Sequence, residues 1–353
     1  MRLYSETILS THDLAIGYAP PRRPITRVAE GLSVSLSAGE FVCLIGPNGA
    51  GKSTLIRTLA GMQAPLSGQV RLMDEDIQTL TPQALAERLS IVLTDRVEVG
   101  ALSARALVAL GRYPYTNWTG RLSSQDEHVI EWAIEAVGAQ HMAHRNVSEL
   151  SDGERQKIMI ARALAQEPLL MILDEPTAFL DVPRRVEILG LLRELARSTA
   201  RAILLSTHDL DLALRSADRI WLLPMRSGLQ VGAPEDLVLN GAFERVFQSE
   251  GVAFNPETGA FSMSSPSAGE VALVAGAPAK VAFWTTRALE RAGFQVLQTP
   301  AAVPAQIEII SRDGAVGWRS TIKDQTQDHS SLDSLIRYLQ TECLVRAPDS
   351  SRS

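Results

Sequence analysis

The chain has 353 residues, 45% of them hydrophobic, which is comfortable for two domains and ample for a sizeable core. Its formal net charge of -6 gives no reason to expect a polyanionic partner such as DNA, so no nucleic acid is expected as a ligand. Two cysteines, Cys43 and Cys343, imply no disulfide framework and fit a reducing cytoplasm; with no signal-peptide-like start and no run of about eighteen apolar residues, any membrane would be spanned by a separate partner.

In chain order, Ile8 to Tyr18 and Leu32 to Leu36 show strand spacing, broken between them by Pro20, Pro21 and Pro24, and read as a small antiparallel layer. Tyr18 offers a face on which an adenine ring can stack, although a lone tyrosine is more often a packing residue. The apolar run Phe41-Val42-Cys43-Leu44-Ile45 then leads directly into Gly46-Pro47-Asn48-Gly49-Ala50-Gly51-Lys52-Ser53-Thr54. The spacing G-x-x-x-x-G-K-S is complete and lies between a strand and a helix. Its glycines let backbone N–H groups turn inward onto phosphate oxygens, Lys52 reaches the β and γ phosphates, and the Ser53 hydroxyl can ligate Mg²⁺. Leu55 to Ala60 continue as a helix whose positive end faces the same anion.

Gly61 ends that helix, Gly68 to Leu72 reads as a strand, and a helix from Pro82 leads into the strand Ser90-Ile91-Val92-Leu93. From about 95 to 150 helical spacing takes over, with Ala104 to Leu110 and Asp126 to Val137 as the clearer pieces. Within this insertion Gly111-Arg112-Tyr113-Pro114-Tyr115-Thr116-Asn117-Trp118 is rich in aromatic and turn residues and, if exposed, would suit docking to another protein. Leu150-Ser151-Asp152-Gly153-Glu154-Arg155-Gln156 opens a helix running through Ala165, with its serine where a cap belongs.

Leu169 to Leu173 is a short apolar run, as expected of a strand covered on both faces, and it ends in Asp174-Glu175-Pro176-Thr177. Two carboxylates there are costly without a partner, and Mg²⁺ with an attacking water is the expected one. A second buried strand, Arg201 to Thr207, ends in His208-Asp209. Ligands of open α/β sheets sit at the carboxyl ends of the strands. The phosphate loop, Asp174, Glu175 and His208 are therefore expected around one phosphate tail, with His208 in a catalytic role.

Arg219 to Leu223 closes the core as a strand. The nucleotide-binding domain is expected over 1–252, a linker rich in Pro, Gly and Ser over 253–269, a small accessory domain over 270–342 and a flexible tail over 343–353. The accessory domain reads as α/β, with strands at Val271 to Val274, Phe294 to Leu297, Ile307 to Ile310 and Trp318 to Thr321, and helices at Val281 to Arg291 and Leu332 to Gln340. It carries no metal-ligand spacing, nucleophile triad or second phosphate loop.

With these residues laid out, residues 1 to about 250 resemble the ATP-binding subunit of ABC transporters. The resemblance rests on the phosphate loop, Leu150-Ser151-Asp152-Gly153, the strand ending Asp174-Glu175-Pro176-Thr177, Leu180-Asp181 and the strand-end His208. The element Leu110-Gly111-Arg112-Tyr113-Pro114 looks like that of importers for iron-siderophore, haem and cobalamin complexes. The resemblance implies a P-loop NTPase core of ABC type, with a RecA-like mixed sheet, an antiparallel β layer and a helical insertion, followed by the small C-terminal α/β domain. It implies ATP and Mg²⁺ as ligands. Gly46 to Thr54 would hold the phosphates, Ser53 and Asp174 the Mg²⁺, and Glu175 would act as general base, with Lys52 and His208 on the γ-phosphate.

It further implies a head-to-tail dimer in which Ser151 and Gly153 of one copy bind the ATP of the other and Asp181 links the two sites. Transmembrane permease subunits would be partners, with an extracytoplasmic substrate-binding protein engaged indirectly, at the cytoplasmic face of the inner membrane. Two departures stand out. Thr94-Asp95 occupies the place of a glutamine that contacts Mg²⁺, and Glu154 replaces a glutamine at the helix start, where its carboxylate must point away from phosphate. A soluble ABC-type ATPase not coupled to transport is the alternative expectation.

Overall fold

The computed structural model describes residues 6–21, 24–94, 101–117, 120–225, 228–248, 252–256, 259–263, 269–274, 278–297, 303, 305–312 and 315–344. They fall into two compact units, Met1–Ser262 and Met263–Ser353.

The first unit opens with strands β1 (Thr7–Tyr18), β2 (Thr26–Leu32), β3 (Ser35–Ser37) and β4 (Phe41–Ile45), then helix α1 (Lys52–Leu59). Strands β5 (Ser67–Leu72) and β6 (Glu75–Asp76), helix α2 (Pro82–Ala86) and strand β7 (Leu89–Val92) follow. Helices α3 (Ala104–Ala109), α4 (Ser124–Ala136) and α5 (Asp152–Ala165) come next, with a 3-10 helix over Leu110–Tyr115. The chain returns through β8 (Leu170–Asp174), α6 (Val182–Thr199), β9 (Ala202–Ser206), α7 (Leu210–Ser216), β10 (Arg219–Leu222) and β11 (Gln230–Gly232). Helices α8 (Pro234–Leu239) and α9 (Ala242–Phe247) precede the paired strands β12 (Val252–Asn255) and β13 (Ala260–Met263).

Six strands in the order β11-β10-β4-β9-β8-β7 form one sheet, parallel except for β11. Every residue of β4, β8 and β9 is buried, which is why these segments are nearly continuous apolar runs. Their side chains alternate between two cores, as the two-residue period of a strand requires. Cys43, Leu173 and Leu205 face the core shared with α5 and α6, while Leu44, Ile172 and Leu204 face the core shared with α1 and the antiparallel sheet. Burial pushes the Cys43 thiol far above its usual range, which leaves it a packing group.

The second sheet has the order β2-β1-β5-β6, with β3 also on β1. Here the structure departs from expectation. The strand expected over Leu32 to Leu36 is two strands, and β2 begins at Thr26. Most of β2 is exposed, so its pairing with β1 leaves little apolar signal to read. The stretch expected as linker carries β13, whose Phe261 ring lies 5.6 Å from Phe247 and 5.2 Å from Phe254, so aromatic packing orders it.

The second unit comprises β14 (Gly269–Leu273), α10 (Ala279–Arg291), β15 (Phe294–Leu297), β16 (Ala305–Arg312), β17 (Ala315–Ile322), β18 (Gln325–His329) and α11 (Leu332–Leu344). Its sheet has the order β15-β14-β16-β17-β18, and its core gathers Val271, Leu289, Phe294, Ile307, Leu335 and Leu339. Trp318 Nε1 donates to Thr285 Oγ1 at 2.9 Å, which pins α10 to the sheet. The edge strand β18 has four exposed polar residues and gave no alternation to read. Helix α11 continues to Leu344, and the rest of the expected tail lies outside the described residues.

His329 is 3% exposed, with Nε2 2.8 Å from Ser320 Oγ, Nδ1 3.3 Å from Ser334 Oγ, and the Tyr338 ring at 5.3 Å. Burial lowers its proton affinity below the ordinary 6.5, and Asp328 acts in the opposite direction. The unfolded chain then binds the proton more tightly than the folded one. Stability is full above about pH 6.5 and falls as pH drops below it. Hydrogen exchange of α11 and β17 amides, corrected for intrinsic rates, should lose protection from pH 7.5 to 5.5 in the wild type and lose less in His329→Gln. Equal slopes in the two proteins would contradict this.

Candidate active site

Strand β4 ends at Ile45 and the chain turns through Gly46–Gly51 before α1 begins at Lys52. At Gly46 an added Cβ would lie 2.2 Å from the Leu223 carbonyl oxygen, and at Gly51, with φ of 103°, it would lie 2.2 Å from Val28 Cγ1. Gly51 is also the N-cap and brings no side chain to the helix start, so the first-turn N–H groups are left for an anion. Lys52 Nζ donates to the carbonyls of Gly46 at 2.8 Å and Pro47 at 3.2 Å. Burial draws the ammonium below the usual lysine range, while the carboxylates of Glu175 and Asp174 push it back up. The loop's cation and the two strand-end carboxylates thus lie within electrostatic reach of one another.

Ser53 is exposed at the loop's end, and Asn48 and Gly49 form its exposed tip. Thr54 turns inward, with Oγ1 2.9 Å from the Tyr18 hydroxyl. Tyr18, the last residue of β1, is therefore anchored to the loop through its hydroxyl and remains 47% exposed.

The register of β8 on β9 sets Asp174 opposite Ser206. Ser206 Oγ donates to Asp174 Oδ1 at 2.6 Å and accepts the Glu175 N–H at 2.9 Å. Sequence reasoning passed over Ser206, although it is the one polar residue closing an otherwise apolar strand. Thr94, expected among the Mg²⁺ ligands, donates its Oγ1 to the Asp174 main-chain oxygen at 2.7 Å and so braces that strand end; Asp95 lies outside the described residues. Glu175 has φ of 48°, a left-handed conformation of the kind that costs about 1–3 kcal/mol and clusters at functional sites. Its carboxylate pairs with His208 Nε2. A cleft of about 210 Å³ is lined by Gly46, Pro47, Asn48 and His208.

Ser151, Gly153 and Asp181 lie on other elements. Ser151 caps α5 in a capping box: Glu154 reaches back to the Ser151 N–H and hydroxyl, both at 2.9 Å, and pairs with Arg145 at 3.0 Å. The hydrogen bonds from Ser151 hold the Glu154 carboxyl below the usual carboxylate range. Asp181 caps α6 through the Arg184 N–H at 3.0 Å, and a Cβ on Gly153 would sit 3.4 Å from Arg184 Cδ. These partners belong to α5, α6 and the segment before α5, not to the phosphate loop.

Among the described residues no group of three His, Cys, Asp or Glu side chains forms a metal cage. The available donors are the buried Asp174 carboxylate and the exposed Ser53 hydroxyl, a set that suits Mg²⁺ when phosphates and water supply the rest.

Residues 29–178 match the ABC transporter family and residues 268–340 match the iron ABC transporter C-terminal domain. An uncharacterised ABC transporter ATP-binding protein of Methanocaldococcus jannaschii is 41% identical over 73% of this chain and 87% of its own length. The achromobactin transport ATP-binding protein of Dickeya dadantii is 38% identical over 68% of this chain and 88% of its own, and the ferric enterobactin transport ATP-binding protein of Escherichia coli is 39% identical over 62% and 81%. The solved structure of cbiO1 from Clostridium perfringens, part of the ABC transporter complex cbiONQ, superposes with a TM-score of 0.59 at 26% identity, covering 68% of this chain and 94% of that one. Over most of its length, therefore, this chain belongs to the ABC transporter ATP-binding proteins and is an ATP hydrolase of that type.

Proposed function

We propose that the chain energises an importer of metal chelates, with iron-siderophore complexes as the first cargo class and haem or cobalamin as the others. The observation that carries the chemistry is the convergence of Lys52, Asp174 and the Glu175–His208 pair on an uncapped helix start. The importer reading is supported by relatives named for achromobactin and ferric enterobactin transport and by the iron-transporter match of residues 268–340. A soluble ATPase apart from transport has no comparable support.

Gly46 to Thr54 hold the phosphates, with Lys52 leaving its loop carbonyls for the β and γ oxygens, and the exposed Tyr18 ring takes the adenine. Ser53 and Asp174 hold Mg²⁺, which neutralises charge on the phosphates when bound. Glu175 accepts a proton from the attacking water, and His208, already on its carboxylate, reaches the γ-phosphate. Ser206 and Thr94 keep Asp174 in place through its side chain and its carbonyl. Two copies associate head to tail, so that Ser151 and Gly153 at the start of α5 face the other copy's nucleotide and Asp181 joins the two sites.

Among the described residues no helix is long and apolar enough to cross a membrane. In this reading, which the transport relatives support, the chain works at the cytoplasmic face of the inner membrane through permease subunits, and through them with an extracytoplasmic substrate-binding protein. A cavity of about 600 Å³ between α2 and the 3-10 helix suits a permease loop. It is lined by Pro82, Gln83, Tyr113 and Pro114, and Tyr113 is 80% exposed. The expected docking residue Trp118 lies outside the described residues.

Glu175→Gln should retain ATP binding, lose turnover by about 10²-fold or more and accumulate as an ATP-bound dimer, read by phosphate release and light scattering. Normal turnover would refute the role of Glu175. Thr94→Gln gives up the brace on the Asp174 carbonyl for a side chain long enough to reach Mg²⁺, and the exchange should raise turnover by about three- to tenfold, the scale of one hydrogen bond in a barrier; an unchanged rate would count against Thr94 as a limit on activity.

A further inference from the structure

Arg185, in the first turn of α6, joins two segments that the site uses separately. Its Nε donates to the Leu180 carbonyl at 2.8 Å, and its guanidinium pairs with Asp209 Oδ2 at 3.5 Å. Leu180 precedes Asp181, the cap of α6. Asp209 follows His208, whose ring holds Glu175. The Asp209 carboxylate is divided, because Oδ1 caps α7 at the Leu212 N–H while Oδ2 faces Arg185. The Asp209 N–H is fixed in turn on Thr207 Oγ1 at 3.0 Å. One planar cation thus links the Leu180-Asp181 segment to the residue after His208, tightly at the Leu180 carbonyl and more loosely at the Asp209 carboxylate.

The same end of α6 is tied to α5. Glu187 bridges Arg184 at 2.7 Å and Lys157 of α5 at 2.5 Å, and Arg184 packs against Gly153. The side chains of Lys157 and Arg184 hold the Glu187 carboxyl below its usual range, so the bridge is charged at neutral pH.

We infer that Arg185 is a positioning residue that transmits displacement of the Leu180-Asp181 segment to the His208–Glu175 pair. This rests on the proposal that Asp181, Ser151 and Gly153 serve the other copy's nucleotide. When that nucleotide draws in the starts of α5 and α6, the segment moves as one body and Arg185 carries the motion through Asp209 to the base. Turnover at one site then depends on occupancy of the other. Arg185 touches neither ATP nor the reacting atoms, so it affects the rate and the cooperativity rather than ATP affinity.

The test compares the full-length wild type with Arg185→Gln, Asp209→Asn and the double variant, using Mg-ATP as the probe. Steady-state phosphate release should show kcat about tenfold lower in Arg185→Gln, the scale of a small misplacement of a catalytic group, with KM within about twofold. The Hill coefficient should fall from about 2 towards 1. The double variant should be no worse than the poorer single variant. Additive losses, or unchanged kcat and Hill coefficient in Arg185→Gln, would overturn the inference, as would a melting-temperature loss that fully accounts for the lower rate. Glu175→Gln run alongside separates the two levels: if it still hydrolyses ATP the site assignment itself fails, and if it is dead while Arg185→Gln behaves as wild type only the transmission fails. In the Glu175→Gln background, Arg185→Gln should also weaken the ATP-dependent dimer measured by light scattering; an equally stable dimer would speak against the relay independently of turnover.

Discussion

The hydrogen bond from Ser206 to Asp174 is the contact on which the site's geometry depends. Asp174 is 7% exposed at the end of a strand buried on both faces, where a carboxylate without partners is costly. The pairing of β8 with β9 puts the hydroxyl opposite the carboxylate, with Met171, Leu173, Ile203 and Leu205 on one core and Leu170, Ile172, Ala202 and Leu204 on the other. A slip of one residue would turn each apolar side chain to the other face and separate Ser206 from Asp174. Apolar packing over several residues thus determines the position of one oxygen. The same serine accepts the Glu175 N–H, so one hydroxyl orients both the Asp174 carboxylate proposed to hold Mg²⁺ and the backbone of Glu175, the proposed base.

The parts of the site that could be read from sequence were those at the ends of continuous apolar runs. The phosphate loop after β4, Asp174 and Glu175 after β8, and His208 after β9 were all marked by this abrupt change of polarity. The sequence marks Tyr18 as a candidate aromatic for the nucleotide but hides its anchor, Thr54, since a hydroxyl contact between residues 36 apart leaves no local pattern. Ser206 was hidden because a strand-end serine is ordinary until the opposing residue is known. The edge strands β2 and β18 escaped because a polar edge carries neither alternation nor a buried run. The packing of Phe254 and Phe261 on α9 depends on rings brought together by the fold, which composition alone read as a linker.

Glu154 shows how one substitution can satisfy a helix and constrain a site together. A carboxylate three residues after Ser151 completes the capping box and complements the positive end of α5. The Ser151 hydroxyl that Glu154 engages and the dipole of α5 are also what would receive the phosphates of another copy's nucleotide in the proposed dimer. A bound carboxylate therefore competes with that anion for the helix start, and Arg145, paired with Glu154, offsets part of the repulsion. Where the cap is strong, closure on a second nucleotide requires Glu154 to yield or stay turned toward Arg145.

Glu175 presents the complementary case, in which strain fixes direction. Its left-handed φ is unfavourable for a non-glycine residue, and Pro176 after it restricts the backbone further. The conformation persists because its N–H is held by Ser206 and its carbonyl accepts the Ala178 N–H at 3.1 Å. The main chain thus fixes where the side chain starts, and the pair with His208 fixes where its carboxylate points. In the proposed cycle the imidazole turns from this carboxylate to phosphate while the Glu175 main chain stays held, so a displacement of the His208 backbone reaches the carboxylate through their pair.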